Sequence, residues 1–310
     1  MRDKCGIIMT NVSTNIRRIT LLLVILNLNI AVLHGTESIW VRPFDIKFNH
    51  ETGQTNDALT IRKADGTDIT NPEWASYHND DENENFAYIK AQSNRKIRVT
   101  FDSNCEDMHL VIKLTVTSGT GIGGICNLFV CNYHQLDEVI LTLNGTPGTV
   151  GKRSFTWQWK IYGIPVNDPT FCAAWETTET THTYYSLLAT PQAPMAEPWS
   201  SVLDYACVWA LNQSGESNTV QKIVEGFYNE AGFKYDVVDG SSRYTSWKTE
   251  SFNLGYMITD LNSSSSNIIV NCYDMGKAVD IFSSALVCNT DYALSNPFGY
   301  LNCIKAIGRG

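Results

Sequence analysis

Residues 155–161 have the sequence Phe-Thr-Trp-Gln-Trp-Lys-Ile, in which apolar side chains alternate with polar ones. Successive side chains of a β-strand point to opposite faces, so this pattern predicts a strand with one buried and one solvated face. The same alternation recurs at 97–101 and 110–116, and Asp65-Gly66 is a turn signal typical of hairpins. Because no helical period interrupts these runs, residues 37–190 are predicted to form a β-sandwich.

The hydrophobic period changes beyond residue 190. Three prolines stiffen a predicted linker at 191–198, and apolar residues then recur at steps of three and four. This spacing predicts one helix after the linker, a second with Asn218 as its N-cap, and a third that begins at Cys272. Cys272 lies in the first turn of the third helix, on the stripe expected to face the protein. The predicted fold class is therefore α+β, with a second domain at 199–310.

The N-terminal segment has the features of a secretory signal. Arg17 and Arg18 precede an apolar run at 19–33, and small or polar residues follow it. A positive flank, a short apolar run and a small-residue exit are typical of a signal peptide, which is assigned here to residues 1–36. A bilayer span needs about 20 apolar residues, and the run at 19–33 is shorter, so we expect the segment to be cleaved. The alternative is an uncleaved anchor, which is the one way in which this chain is predicted to contact a membrane. We expect a secreted, extracellular protein.

Length and charge limit the remaining classes of protein. The 310 residues leave room for two domains, and an immunoglobulin-like arrangement is the simplest one for the short strands of the first. The net charge of -9 and the lack of a Lys/Arg cluster argue against nucleic acid as a partner. The spacing of Cys126 and Cys131 does not match a zinc site, so neither a metal nor a cofactor is predicted.

Secretion would bring the chain into an oxidising compartment, where cysteines can form disulfides and sequons can carry glycans. Disulfides form in secreted proteins, although their connectivity does not follow from sequence. Nearness in the chain suggests a pair between Cys288 and Cys303, which leaves Cys272 free. The disulfide candidates are Cys105, Cys126, Cys131, Cys172, Cys207, Cys288 and Cys303. The glycosylation candidates are Asn144, Asn212 and Asn262.

Cys272 is the candidate nucleophile. The positive end of a helix dipole and the first-turn amides favour a thiolate over a thiol, and the thiolate is the reactive form. The same backbone N–H groups can stabilise an oxyanion that forms during acyl transfer. A structural half-cystine or an unreactive buried cysteine is the alternative that the position alone allows.

Residues 271–276, Asn-Cys-Tyr-Asp-Met-Gly, and residues 283–286, Ser-Ser-Ala-Leu, resemble the nucleophile helix of transglutaminase-like proteins. These proteins belong to the papain-like cysteine enzymes, in which a cysteine opens a helix, a small residue follows about four positions on, and a glycine closes it. Gly276 stands at the small position, whereas Val287 replaces the closing glycine. Trp199 and the helix after it resemble the preceding helix of the family, in which a β-sandwich often comes first.

The resemblance implies that Cys272 attacks a carboxamide or peptide carbonyl and forms a thioester, which water or an amine then opens. The implied partner is a protein or peptide substrate with amide side chains. The family also uses a histidine downstream of the cysteine, oriented by a later Asp or Asn. All six histidines of this chain precede Cys272, so the domain is expected to be truncated before its His and Asp.

Two functions remain open on the sequence. One is a secreted cysteine-dependent acyl transferase or thiol hydrolase that acts on protein amide groups and is inactive as this fragment. The other is a non-catalytic extracellular binding or scaffold protein with a degenerate transglutaminase-like domain. A free, accessible Cys272 favours the first function, whereas a buried or disulfide-bonded Cys272 favours the second.

Overall fold

A computed structural model describes residues 40–49, 58–78, 83–103, 108–122, 130–133, 138–143, 145–165, 176–246, 248, 251–263, 267–286, 288 and 290. For residues 108–111, 130–133, 162–165 and 176 it describes the backbone alone. The predicted signal peptide at 1–36 lies outside this part of the chain. No helix within the described residues has the length and apolar content needed to cross a bilayer. Sheets and helices both occur, which confirms the predicted α+β class.

The strands of the first part of the chain form two larger sheets and one small pair. Their bounds are β1 (Val41–Lys47), β2 (Ile61–Arg62), β3 (Asp68–Ile69), β4 (Glu73–Ala75), β5 (Phe86–Ile89), β6 (Arg95–Ser103), β7 (Met108–Gly119), β8 (Val130–Tyr133), β9 (Glu138–Leu143), β10 (Gly151–Pro165) and β11 (Glu176–Leu187). One sheet has the order β4-β1-β6-β9 and the other has the order β5-β11-β10-β7-β8. β2 and β3 pair around Asp65-Gly66, which confirms the turn predicted there.

One hydrophobic cluster is shared by the two larger sheets. β6 contributes alternate side chains from Ile97 to Phe101, and β10 contributes its own alternate side chains from the other sheet. The β10 residues, each at most 1% exposed, are Phe155, Trp157, Trp159 and Ile161. On the opposite face of β10, the Thr156 hydroxyl forms a hydrogen bond with the Thr181 hydroxyl of β11 at 3.2 Å. The sequence alternation therefore divides this strand between core and solvent as predicted.

Helices dominate the second part of the described chain. They are α1 (Ser200–Trp209), α2 (Glu216–Asn229), α3 (Leu254–Asn262) and α4 (Cys272–Ala285). α1, α2 and α4 correspond to the three predicted helices. The predicted N-cap of α2 is wrong: Gly215 is the cap and Asn218 lies inside the helix. α3 has no counterpart in the prediction, although Leu254, Met257 and Ile258 show helical spacing and are buried.

A second hydrophobic cluster joins the strands to the helices. Phe282 of α4 packs against Trp209 of α1 and Phe227 of α2, with ring centroids 5.7 and 4.9 Å apart. Ile69 of β3 and Leu187 of β11 belong to the same cluster. Apolar surface from both parts of the chain is therefore removed from water in one place.

The predicted linker at 191–198 lies across this boundary. The Arg62 amide donates to the Pro198 carbonyl at 2.9 Å, and the Leu188 amide donates to the Leu286 carbonyl at 3.3 Å. The strand region and the helices are thus tied by backbone hydrogen bonds as well as by side-chain packing.

Candidate functional site

Cys272 lies where two short parallel strands end and a helix begins. β12 (Phe233–Tyr235) and β13 (Ile268–Val270) pair in parallel, with Tyr235 opposite Val270. The chain then passes through Asn271 into α4, so Cys272 is the first residue of that helix. Cys272 is exposed and its thiol is free. A free, accessible sulfur at a helix N-terminus is the arrangement that a thiol nucleophile needs.

The predicted burial of Cys272 is wrong. The face of α4 that packs on the protein passes through Asp274, Ala278 and Phe282, which are fully covered. These residues follow one another at steps of four and therefore share a face. Cys272 precedes Asp274 by two positions, which places it about 200° around the helix from that face. The helical stripe that predicted burial counts Cys272 as an apolar residue. The first-turn residue that is in fact buried is an aspartate, Asp274.

Asn271 caps the first turn of α4. Its side-chain oxygen accepts the amides of Tyr273 and Asp274 at 3.1 and 3.0 Å, and the Asp274 carboxylate accepts the Asn271 amide in return. The Asn271 side-chain nitrogen donates to the Gly240 carbonyl at 2.8 Å. This reciprocal capping satisfies donors that a helix start otherwise leaves open. The expectation that several first-turn amides face an oxyanion is therefore corrected: the amide that the cap does not use is that of Cys272.

Asp274 ties α4 to the segment at 236–246. Its carboxylate oxygens accept the backbone amides of Arg243, Tyr244 and Thr245 at 2.7, 3.0 and 2.8 Å. A buried carboxylate is costly unless such donors surround it. Besides accepting the Asn271 amide, Asp274 therefore holds a distant segment beside the N-terminus of α4.

A charged and aromatic network supports the same segment. Arg243 donates from Nε to the Asp260 carboxylate and from a terminal nitrogen to the Tyr256 hydroxyl, each at 2.7 Å. The Tyr244 hydroxyl donates to the same Asp260 oxygen at 2.7 Å. Hydrogen bonding from Arg243 holds the pKa of Asp260 below its usual value, and burial raises the pKa of Tyr244. Arg243 and Tyr244 also line an open cavity of about 680 Å³.

Tyr235 is the last residue of β12, and the negative charge of a Cys272 thiolate raises the pKa of this tyrosine. The Tyr235 side chain is 57% exposed and lies at the surface. The Asp236 carboxylate accepts the backbone amides of the turn that follows, which presents Val237 and Val238 to solvent.

The histidine side chains that the structure describes, those of His78 and His182, do not complete a catalytic set at Cys272. His182 is buried in the cluster between the sheets, where its Nε2 and the Thr180 hydroxyl lie 2.7 Å apart. Burial lowers the pKa of His182 to about 3, so it remains neutral at ordinary pH. His78 packs edge-on against its neighbour Tyr77, and His109 lies in β7. Among the described residues no histidine forms a hydrogen bond with Cys272. His34, His50 and His134 lie outside the described residues.

Two disulfide candidates differ from their prediction. Cys207 and Cys288 are free thiols. Cys303, the predicted partner of Cys288, lies outside the described residues, so that pair stays a prediction. Both are buried, and burial raises the pKa of each thiol, to about 12 for Cys288. Buried free cysteines of this kind act as small apolar residues. Cys131 lies in β8. The candidates outside the described residues are Cys105, Cys126, Cys172 and Cys303.

Two of the three sequon asparagines lie in the described chain. Asn212 and Asn262 are exposed. The Asn212 side-chain oxygen accepts from Arg153 at 3.2 Å, and that of Asn262 accepts from the Tyr205 hydroxyl at 2.7 Å. Asn144 lies outside the described residues.

Three residues of the segments that precede α4 were missed on the sequence: Tyr235, Arg243 and Asp260. The alternation of Phe233 and Tyr235 does indicate a short strand. However, the position of this strand before α4 depends on the pairing of β12 with β13, and no local pattern encodes that pairing.

Neither a metal centre nor a known relative explains the site. The described residues contain no group of three or more His, Cys, Asp or Glu side chains that could hold a metal ion. Comparison of the chain with protein-family models, with curated proteins and with solved structures finds no match. The functional conclusion therefore rests on the chemistry of Cys272 and its neighbours.

Proposed function

We propose that Cys272 is the nucleophile of a secreted cysteine-dependent acyl-transfer enzyme that acts on amide groups of proteins or peptides. The observation that carries this proposal is the free, exposed thiol at the first position of α4, directly after the paired strands β12 and β13. The resemblance of residues 271–286 to the nucleophile helix of transglutaminase-like proteins supports the same chemistry. A cysteine that merely fills a core has no need of this exposure.

The proposed reaction has two steps. The sulfur attacks the carbonyl carbon of a carboxamide, and the C–S bond forms while the C–N bond breaks. The amine leaves with a proton taken from water, and a thioester remains on Cys272. Water or a second amine then attacks the thioester carbonyl and the thiolate is released. The amide of Cys272 is a backbone donor suited to the oxyanion of each step, because the Asn271 cap uses its neighbours.

Trapping the thioester tests the proposal. The reduced protein is incubated with a glutamine-containing peptide and a biotinylated primary amine, and its intact mass is measured. Because this chain is expected to lack the histidine and aspartate needed for repeated turnover, we expect a single turnover: one peptide adduct that has lost ammonia, located at Cys272, and one biotin transfer per chain. Cys272→Ser should abolish both signals, whereas Cys288→Ser should retain them because that thiol is buried. Absence of any adduct on the unmodified protein contradicts acyl transfer.

A non-catalytic extracellular binding or scaffold protein is the second candidate. The observation that favours it is the location of His182 within the sheet cluster, since a thiol nucleophile normally uses a nearby base. Treatment with iodoacetamide at pH 6 separates the two candidates when it is run beside the thioester trap. Rapid alkylation of Cys272 without any thioester supports the scaffold, whereas alkylation together with a thioester supports the enzyme.

The finer architecture and the location of the protein are part of the same proposal. We propose an immunoglobulin-like β-sandwich at 37–190 and a papain-like domain at 199–310, exported through the segment at 1–36. The cluster shared by the two larger sheets supports the sandwich. Exposure of Asn212 and Asn262 supports glycans at those positions. Expression in eukaryotic cells tests export: the protein should appear in the medium and lose mass on treatment with an N-glycosidase.

A further inference from the structure

The turn at 236–242 holds two neighbouring valines out in solvent. The Asp236 carboxylate accepts three backbone amides of this turn, each at 3.0 Å, which fixes the path of the chain. Val237 and Val238 are 85% and 84% exposed, more than any other large apolar side chain in the described part of the chain. Adjacent apolar side chains that are exposed on a backbone already held in place are typical of a surface that contacts a partner.

Both ends of this turn are tied to the residues around Cys272. At its start, the Asp236 amide donates to the Val270 carbonyl at 2.8 Å, two residues before the thiol. At its end, the Asn271 side chain donates to the Gly240 carbonyl at 2.8 Å, one residue before the thiol. The turn therefore lies beside the N-terminus of α4, where Cys272 is exposed.

The charges of the turn favour a basic partner. Asp236 and Asp239 stand on either side of the two valines, and neither forms an ion pair with a described residue. Hydrogen bonds from backbone amides hold the pKa of Asp236 below its usual value, so this carboxylate stays ionised. Lys234 of β12 donates to the Asn267 side-chain oxygen at 2.7 Å. A positively charged segment would complement the two carboxylates of the turn.

We propose that the turn at 236–242 docks the substrate: Val237 and Val238 cover an apolar side chain of a protein or peptide, and Asp239 pairs with a Lys or Arg next to it. The proposal rests on the proposed function, because it brings the recognised segment beside the thiol that attacks the amide. The substrates it implies are amide side chains in apolar segments that carry positive charge.

Peptide binding, measured apart from the chemistry, tests this docking role. The probes are three fluorescein-labelled peptides that are symmetric about a glutamine: Lys-Leu-Gln-Leu-Lys, Lys-Ser-Gln-Ser-Lys and Glu-Leu-Gln-Leu-Glu. Fluorescence anisotropy gives their dissociation constants on Cys272→Ser, which lacks the nucleophile. We expect the leucine–lysine peptide to bind about tenfold more tightly than either of the others. Equal affinities, or no measurable binding of any peptide, would overturn the proposal.

Variants of the turn, made in the same Cys272→Ser background, locate the binding. Val237→Ser combined with Val238→Ser should weaken binding of the leucine–lysine peptide about tenfold. Val208→Ser is the matched control, because that valine is 51% exposed on α1, and it should leave the affinity unchanged. Asp239→Lys should weaken the leucine–lysine peptide and strengthen the leucine–glutamate peptide. Unchanged binding in the double valine variant, or an equal loss in Val208→Ser, contradicts docking at the turn.

Two other occupants of the turn would give different results. If a second copy of the chain covers the valines, sedimentation velocity shows a dimer that the double valine variant dissociates. If another part of the same chain covers them, the double valine variant unfolds at a lower temperature than Val208→Ser. Either result overturns the docking of substrate.

Failure of this proposal can be told apart from failure of acyl transfer. Without acyl transfer, the thioester trap shows no adduct, whereas Cys272→Ser still binds the leucine–lysine peptide through the turn. If only the docking is wrong, the thioester still forms at Cys272, and it forms at the same rate with all three peptides.

Discussion

The two-sheet region, β1 to β11, and the helical region, residues 199–286, are stabilised by different means. Large aromatic side chains such as Trp157 and Trp159 fill the space between the sheets and are completely buried. In the helical region the N-terminus of α4 is instead held by buried polar groups, with Asp274 and Asn271 at its start. The first arrangement removes apolar area from water, and the second satisfies backbone donors while leaving a thiol exposed.

The two regions also differ in the exposure of the two side chains that were considered for catalysis. His182 belongs to the two-sheet region, where burial keeps it neutral among aromatic rings. Cys272 belongs to the helical region and is open to solvent. Burial by packing excludes a titratable group from chemistry, whereas capping by hydrogen bonds can hold a backbone firmly and still expose a side chain.

Trp157→Ala is expected to have the largest effect, because it breaks the packing of the two-sheet region. Trp157 is fully buried and its indole nitrogen donates to the Ile122 carbonyl at 3.3 Å. Loss of this side chain leaves a cavity and should lower the free energy of unfolding by about 4 kcal/mol. Urea denaturation measures the change, with the exposed Tyr228→Ala as control, expected within about 0.5 kcal/mol. Equal losses in both variants would contradict the assignment of Trp157 to the core.

Asp274→Asn tests the polar arrangement of the helical region. The amides of Arg243, Tyr244 and Thr245 would lose a charged acceptor and one oxygen would become a donor, so we expect a loss of about 3 kcal/mol. Hydrogen exchange should accelerate at these three amides. Asp236→Asn is the matched control, because that carboxylate also accepts backbone amides but lies in solvent, and its effect should be much smaller. Unchanged exchange in Asp274→Asn would show that the segment is held in another way.

Acidification should weaken the two-sheet region through His182. The pKa of this histidine is about 3 in the folded protein, against 6.5 for the unshifted group, because burial disfavours the charged ring. The unfolded chain therefore binds the proton first, and stability that is present above pH 6.5 is lost as the pH falls toward 3. The slope is about 1.4 kcal/mol per pH unit, or about 2 kcal/mol by pH 5. Unfolding free energies measured between pH 7 and pH 5 should fall less steeply for His182→Phe; parallel curves would refute this role.

Two glycine substitutions measure how closely the helical region is packed. A Cβ added to Gly226 in α2 would lie 2.2 Å from the indole Cδ2 of Trp209, so Gly226→Ala should cost about 1–2 kcal/mol despite its better helix propensity. A Cβ added to Gly255 in α3 would meet only the Asn253 side-chain oxygen, at 4.0 Å, so Gly255→Ala should be neutral or stabilising by about 0.5 kcal/mol. Thermal unfolding of the two variants gives the comparison. A stabilising Gly226→Ala would mean that Trp209 moves aside at little cost.

The strands of the two-sheet region could be predicted because burial alternates along them residue by residue, as it does in β6 and β9. The pairing of these strands could not be predicted from the same pattern. β5 lies parallel to β11, although most pairs in the sheets are antiparallel and about a hundred residues separate Phe86 from its partner Tyr184. Alternation reports which face of a strand is buried and carries no information about its neighbour.

The site was predicted in part for a similar reason. Helical spacing and the Asn271 cap indicate where α4 begins, so the position of Cys272 follows from local sequence. Its exposure does not, because the buried place in the first turn belongs to Asp274, a residue that a hydrophobic pattern excludes. Asp274 tolerates burial because amides 29 to 31 residues earlier in the chain donate to it. Tertiary hydrogen bonds of this kind are outside what a periodicity can express.

The cluster that joins β3 and β11 to the helices determines what happens when the chain is divided into two fragments. Ile69 and Leu187 share their apolar surroundings with Trp209 and Phe282, so a cut in the linker at 191–198 would expose half of a common interior on each product. We therefore expect that neither half folds independently. Expressed alone, each should be poorly soluble, and the two halves mixed together should recover solubility by reassociating along that surface.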